Sequence, residues 1–482
     1  MNRRDFLKTA LANSAFLPTF AQLAPPVPVH GAAEKAVNVA LIGFGAYARV
    51  LCRHLLHSPG VRVRAVCDIW RFHQQQASAF FKSYGQPIEA FEAYGELLEK
   101  LKGQLDAVVV ATPDCFHREH VCACLQAGLH VFCAAPLAHR LEDAATMCRV
   151  AKATGRLLQV SFDRRSAPRY RLGIETILPN LLGRLVTIEA QFNRRAVSFF
   201  RVKRPPKPEI LTKYGYGDAL RYQNWRWFKS FAQAPVAEWA VQQIDLFRWV
   251  CGGNPVSVTA VWGHDLFQPP REGFDRLMCC FTYRLADGRE VQATYRALTC
   301  NAVDGQREVL IGAYGQLRLS PLDFNVYSRQ CKTANVFRRL NCWSDDNAIP
   351  APKMSVAACI KKGWIRPSPM DVENLAQGRG IYDDVANSEM PWTTDDTDNP
   401  LGTRLEDNGE FSVPSARVHL DNFFAAIRKK EPLNCPGETA YAAMVAFTGA
   451  LRAAETGRPV TFKPEDFEVP AGGQQVAAPK RS

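Results

Sequence analysis

Gly43, Gly45 and Ala48 stand at the spacing G-x-G-x-x-A inside the stretch VNVALIGFGAYA, Val37 to Ala48. The chemistry this spacing suits is phosphate binding. Gly43 permits a tight turn, Gly45 lets backbone approach a pyrophosphate, and the small Ala48 lets a helix pack on a strand. Asp68 follows 20 residues after Ala48, where a carboxylate can take ribose hydroxyls. These residues need elements to hold them. Val37 to Ile42 is nearly all apolar, as in a strand buried on both faces, and Arg49 to His57 reads as a helix. Free N–H groups at that helix start would face the phosphates. Val61 to Cys67 is a second apolar strand, and it delivers Asp68.

The pattern continues as strands and helices in alternation. Helices are expected over Arg71 to Phe81 and Glu92 to Lys100, and a buried strand over Ala107 to Ala111 runs into Thr112-Pro113. A helix over His117 to Gln126 stops at Gly128, and His130 to Cys133 is a short strand. A helix over Leu141 to Ala153 stops at Gly155, and Leu157 to Ser161 is a strand. Such alternation indicates a doubly wound parallel sheet with its ligands at the strands' carboxyl ends. The first domain is therefore placed at residues 34–161.

Beyond it, Leu185 to Phe192, Val256 to Val261 and Glu290 to Tyr295 alternate as half-exposed antiparallel strands do. Ala237 to Val250 reads as a helix ended by Gly252-Gly253. Residues 162–469 form the second domain, with 341–414 a long insertion or arm rich in Asp, Asn, Pro and Trp, and 470–482 a loose tail.

The chain has 482 residues, 47% hydrophobic and 22% charged, which is ordinary for a globular protein. Its net charge of +12 suits an acidic ligand or an anionic surface. It carries no nucleic-acid module and no apolar run approaching the ~20 residues that span a bilayer. RRDFLK, Arg3 to Lys8, is close to a twin-arginine export signal. Residues 1–33 are expected to be that signal, with cleavage after Ala33 and a periplasmic or extracytoplasmic destination. Such export carries a folded protein, and a cofactor acquired in the cytoplasm can travel inside it. The 15 cysteines include no C-x-x-C and sit mostly in apolar elements, which reads as buried thiols. No Cys/His spacing matches a metal site.

Three blocks resemble the Gfo/Idh/MocA family, the sugar and inositol oxidoreductases that include glucose-fructose oxidoreductase. They are VALIGFGAYA, then VVVATPDCFHREHVCACLQAGLHVFCAAPLA from Val108 to Ala138, then YQNWRWFKSFAQAPVAEWAVQQIDLFRWVCGG from Tyr222 to Gly253. Arg165 in FDRRSAPRY and the ending HLDNFFAAIRKKEP also fit. The resemblance implies an N-terminal Rossmann domain and a C-terminal α/β domain with a large, open, mostly antiparallel sheet, often used to form homo-oligomers. It implies NAD or NADP, held by Gly43, Phe44, Gly45, Ala46 and Tyr47 at the pyrophosphate. Ala111, Thr112, Pro113, His117 and Ala134 would border the ribose and nicotinamide. Asp68 favours NAD, since its charge would repel a 2′-phosphate, while Arg71 nearby weakens that preference.

The departures from the family fall at the chemistry. Where the family reads E-K-P this chain reads Ala134-Ala135-Pro136, so the lysine that polarises the reacting group is Ala135. Where the family carries D-x-G-x-H, this chain has Glu238, Ala240 and Gln242. An amide hydrogen-bonds but does not exchange a proton near neutral pH. Glu238 is then the best remaining proton acceptor and Asp245 the second, against the plainer reading that both form ion pairs or caps.

Arg194 to Lys229 holds ten Lys or Arg against Glu209 and Asp218, with Trp225 and seven other aromatic residues. This suits a carbohydrate, with Arg165 and Trp225 as substrate contacts, or a basic arm packed on a neighbouring subunit. Three functions follow as expectations. The first is an exported NAD(P)-dependent oxidoreductase of a sugar or cyclitol derivative with an altered proton relay. The others are a catalytically silent binding or assembly subunit and an NAD-assisted glycosidase.

Overall fold

A computed structural model describes residues 36–194, 204–265, 271–300, 302, 305–313, 315–320, 324–328, 403–404 and 414–471. The export signal, nearly all of the 341–414 insertion and the last residues of the tail lie outside the described residues.

The first sheet has six parallel strands: β1 (Val37–Ile42), β2 (Val61–Cys67), β3 (Glu89–Phe91), β4 (Ala107–Val110), β5 (His130–Cys133) and β6 (Leu158–Val160). Their order is β3-β2-β1-β4-β5-β6, that of a dinucleotide-binding Rossmann sheet. The central strands β1 and β4 are apolar at almost every position because helices cover both faces. The order reverses between β1 and β4, so the crevice for a ligand opens at their carboxyl ends. Gly43 sits there at φ +91°, and a Cβ on it would lie 2.6 Å from the Ala111 carbonyl oxygen. Only glycine allows β1 to turn this close to β4.

The second sheet has nine strands: β7 (Leu185–Asn193), β8 (Pro255–Gly263), β9 (Arg276–Arg284), β10 (Glu290–Leu298), β11 (Gln306–Gly312), β12 (Gly315–Leu319), β13 (Phe324–Ser328), β14 (Thr403–Arg404) and β15 (Val460–Thr461). The order is β14-β13-β12-β11-β7-β10-β9-β8-β15. Every pairing is antiparallel except β7 with β10, which is parallel. The expected strands at 185, 256 and 290 are therefore present, in a mixed sheet. One face is covered by the helices Ala237–Cys251 and Gly437–Thr456, whose buried residues share one core with Phe281, Tyr283 and Tyr295 of the sheet.

The chain also returns to the first sheet. In the helix Ser415–Ile427, Leu420, Phe423 and Phe424 pack with Val37, Val39 and Leu41 of β1. His419 on the same helix receives Ser166 at 2.6 Å and bonds the Val160 carbonyl at 2.8 Å. Residues far apart in the chain thus complete the packing of the first sheet.

Candidate active site

The cleft is a cavity of about 1380 Å³ lined by both halves of the chain. Drug-sized ligand pockets occupy ~300–1,000 Å³, so this one has room for a dinucleotide and a substrate together.

At one end stand Gly43, Gly45, Ala46, Tyr47 and Asp68. Gly45 is extended, at φ −71° and ψ −170°, so its backbone would accept any residue. A Cβ there would meet no atom within 4 Å. The folded chain explains Gly43 but not Gly45, whose open side faces the cavity. The helix that follows, Ala46–Leu55, has no side-chain cap and no acid in its first turn, and Arg53 and His54 lie in its last turn. These features fit a pyrophosphate against uncapped N–H groups. Asp68 accepts the Phe44 N–H on Oδ2 and the Trp70 N–H on Oδ1, each at 2.8 Å, and lies 3.0 Å from His73 Nδ1. It therefore shapes the glycine loop while still lining the cavity.

Two expected cofactor residues lie behind the wall. The Phe44 ring is buried in the core, and only its N–H participates, through Asp68. His117 is fully buried, with Nε2 2.8 Å from the Thr112 carbonyl and Nδ1 3.0 Å from that of Pro136. It ties the end of β4 to the loop after β5 rather than meeting a ligand. Ala111, Thr112, Pro113, Ala134 and Ala135 do line the cavity. So does His120, whose Nδ1 is 3.0 Å from Thr112 Oγ1 and whose titration burial pushes down to about 3. It is a neutral imidazole near neutral pH.

At the other end the helix Ala237–Cys251 presents Glu238, Trp239 and Gln242 to the cavity. Asp245 continues round the helix onto another face. There it accepts Arg165 Nε at 2.6 Å and Nη2 at 2.9 Å, with Arg248 Nη1 at 3.3 Å. Neither Asp245 nor Arg165 lines the cavity. The expectation of Asp245 as a proton acceptor and Arg165 as a substrate contact is corrected: they are a buried bidentate pair that pins the turn after β6 to the site helix.

The cavity takes Arg164 instead, whose Nη1 donates to Gln242 Oε1 at 3.1 Å. Arg164 is anchored by Glu308, 3.3 Å from its Nε. Glu308 is wholly buried and also receives the Tyr170 hydroxyl at 2.6 Å and Gln243 Nε2 at 2.8 Å. The amide at 242 is thus a held group.

Glu238 receives Arg226 Nε at 2.5 Å, and that guanidinium lies 4.2 Å from the Trp225 ring centroid. Trp239 stacks on Phe192 at 4.5 Å, with Arg194 over its ring at 5.7 Å. Trp225, Arg226, Phe192 and Arg194 all line the cavity, as does Asp114, which sequence reasoning passed over within TPDCFH. Asp114 is 3% exposed and its Oδ2 has no hydrogen-bond partner. Burial first, and the Glu238 charge second, push its carboxyl well above the usual aspartate range. Among the described residues no group of three or more His, Cys, Asp or Glu could hold a metal.

Residues 37–162 match the family described as oxidoreductase family, NAD-binding Rossmann fold. D-glucoside 3-dehydrogenase of Escherichia coli (strain K12) is 31% identical over 163 residues, 34% of this chain and 45% of the relative. A glycosyl hydrolase family 109 protein of Stenotrophomonas maltophilia (strain K279a) is 30% identical over 212 residues, 41% of this chain and 44% of the relative. The chain spans less than half the length of these curated relatives. Among solved structures, levoglucosan dehydrogenase in complex with NADH and levoglucosan superposes with a TM-score of 0.60 at 17% identity, over 89% of this chain and 99% of that one. WlbA dehydrogenase from Bordetella pertussis, in complex with NADH and UDP-GlcNAcA, gives 0.59 at 16%, over 89% and 99%. These likenesses establish the fold. Residues 37–162 match the NAD-binding Rossmann domain of the Gfo/Idh/MocA oxidoreductase family.

Proposed function

We propose that this protein is an NAD(P)-dependent oxidoreductase of a sugar or cyclitol derivative whose proton acceptor is Glu238. The observation that carries the reading is the single cavity that joins the Gly45 cradle to Glu238. A nicotinamide dinucleotide, when bound, accepts or donates the hydride. The chain does the rest. Backbone at Gly45 and the start of helix Ala46–Leu55 hold the pyrophosphate, and Asp68 takes a ribose hydroxyl. The carboxylate of Asp68 favours NAD over a dinucleotide with a 2′-phosphate.

The faces of Trp225 and Trp239 suit a sugar ring, and the arginines along the same wall suit acidic substituents. Arg164 and Gln242 can hydrogen-bond ring hydroxyls, but neither exchanges a proton near neutral pH. The carboxylate of Glu238 can accept one, and Arg226 keeps it oriented. General acid–base help of this kind contributes ~10²–10⁴-fold. Relatives bearing the glycosyl hydrolase family 109 name support a second use of the same cavity, hydrolysis of a glycoside through transient oxidation.

Two further readings complete the proposal. RRDFLK supports export, and the outer face of the second sheet supports a homo-oligomer. On that face the cross-strand partners Val261 and Met278 are 64% and 50% exposed.

The test is to purify the protein, identify any released nucleotide by mass, and supply NAD or NADP with a panel of glucosides, uronic acids and inositols. Reduced nicotinamide absorbance with at least one of them is the expected result. Nucleotide binding without turnover on any would favour a silent binding subunit, and glycoside cleavage with no net reduction would favour the hydrolase.

A further inference from the structure

Asp114, a buried acid of the cavity wall, takes no part in the mechanism above. Asp114 opens the turn Asp114–Phe116 after Pro113, at the carboxyl end of β4, and lines the same cavity as Glu238. Its Oδ2 is buried without a hydrogen-bond partner. An ionised carboxylate in that position would be desolvated and half unsatisfied, whereas a neutral carboxyl can keep its proton on the orphan oxygen or donate it. The charged groups that act on it are Glu238 and Arg226, which line the same cavity, with the Cys133 thiol at the end of the adjacent strand β5. His117, three residues on, is occupied with carbonyls at both ring nitrogens. Arg226 is committed to Glu238. The cation that might have neutralised Asp114 therefore serves its neighbour.

We propose that Asp114 and Glu238 are a one-proton carboxyl pair, in which Asp114 holds the proton and Glu238 stays ionised against Arg226. Asp114 is a positioning residue, since it acts on the substrate only through Glu238. When a substrate hydroxyl reacts, its O–H bond breaks and an O–H bond forms on Glu238. The hydride goes to the oxidised nicotinamide dinucleotide of the proposed function. With Glu238 neutral, the repulsion that held the proton on Asp114 is gone. One of the two protons can then leave to solvent, which restores the single-proton state. Like charges at close quarters titrate as a unit in this way. The kinetic part rests on the oxidoreductase reading, and the proton inventory does not.

Infrared difference spectra of the intact protein, without nucleotide or substrate, read that inventory. At neutral pH the wild type should show a protonated-carboxyl stretch that is absent from Asp114→Asn. In Glu238→Gln the like charge is removed and Arg226 is released, so the midpoint of that band's titration should fall by about one pH unit or more. A wild type with no such band, or a midpoint unmoved by Glu238→Gln, overturns the pair. Should Asp114→Asn fail to fold, the titration of wild type against Glu238→Gln carries the test alone. In turnover, the wild-type pH profile of kcat should show two ionisations and Asp114→Asn one, and an unaltered profile overturns the kinetic part. The band present with no turnover on any substrate would sink the oxidoreductase reading and leave the carboxyl pair standing.

Discussion

Arg165 grips Asp245 with two parallel hydrogen bonds, Nε to Oδ2 at 2.6 Å and Nη2 to Oδ1 at 2.9 Å. Asp245 is buried and Arg165 largely so, and the pair decides which of three candidate residues on one helix can meet a substrate. With Asp245 locked to the turn Asp163–Arg165, the face bearing Glu238 and Gln242 is the one that looks into the cavity.

That lock predicts a stability effect. Removing one partner of a buried pair leaves the other charge uncompensated, at a cost of about 3–5 kcal/mol. Arg165→Met should lower the unfolding free energy from denaturant melts by an amount in that range, eased somewhat by Arg248 at 3.3 Å from Asp245. A change within about 0.5 kcal/mol, typical of surface substitutions, would show that the pair does not hold the helix.

The two glycines of the loop should respond oppositely. Gly43→Ala places a Cβ 2.6 Å from the Ala111 oxygen at φ +91°, so it should destabilise the fold in a thermal melt. Gly45→Val meets no protein atom at its Cβ. It should melt like the wild type yet lose dinucleotide affinity in calorimetry. Equal affinity in Gly45→Val and wild type would remove the phosphate cradle from the account.

Buried titratable groups should give stability two opposing dependences on pH. Burial lowers the folded-state titration of His117, His120 and His419, that of His120 to about 3. The unfolded chain then binds more protons below the ordinary histidine value, so this stability is full above it and lost as pH falls. Asp114 works in the other sense. Its raised value gives stability that is full below the ordinary aspartate range and lost as pH rises through the folded-state value. Denaturant midpoints across pH should show His120→Gln with a shallower loss below the ordinary histidine value, and Asp114→Asn without the loss that sets in above the ordinary aspartate range. Parallel curves for wild type and both variants would contradict these assignments.

The structure also bears on restoring the family residues. A histidine at 242 would stand where Gln242 now accepts from Arg164, beside a cation that disfavours its protonated form. Ala135→Lys with Gln242→His should therefore gain less turnover on ordinary inositols and sugars than the same pair combined with Arg164→Gln. Equal rates in the two sets would show that Arg164 does not govern the position.

Much of the first sheet was legible because its signals are local. Apolar runs with glycine turns locate β1, β2, β4 and β5 to within a residue or two, and the crevice follows from the strand order. The second sheet was legible only where alternation is clean, as in β7 and β10. β11 was passed over because both of its faces carry mixed residues and it pairs with the distant β7, and β12 because five residues are too short a run to show alternation. At the site, Gly43, Gly45 and Glu238 could be read from motif and spacing. Arg164 and Arg165 could not be told apart, since a single turn sends one into the cavity and the other to Asp245. Asp114 carries no signal of its own in sequence. Its chemistry comes from being buried beside Glu238, more than a hundred residues away in the chain.

The central claim is that Glu238 takes the substrate proton in a nucleotide-dependent oxidation. Its most direct test is kcat on the best substrate of the panel, wild type against Glu238→Gln, with dinucleotide affinity measured on both. The substitution keeps shape and hydrogen bonding and removes only the titrating group. The account predicts a fall in kcat of about 10²–10⁴-fold with dinucleotide affinity unchanged. Wild-type turnover that survives Glu238→Gln undiminished would contradict it.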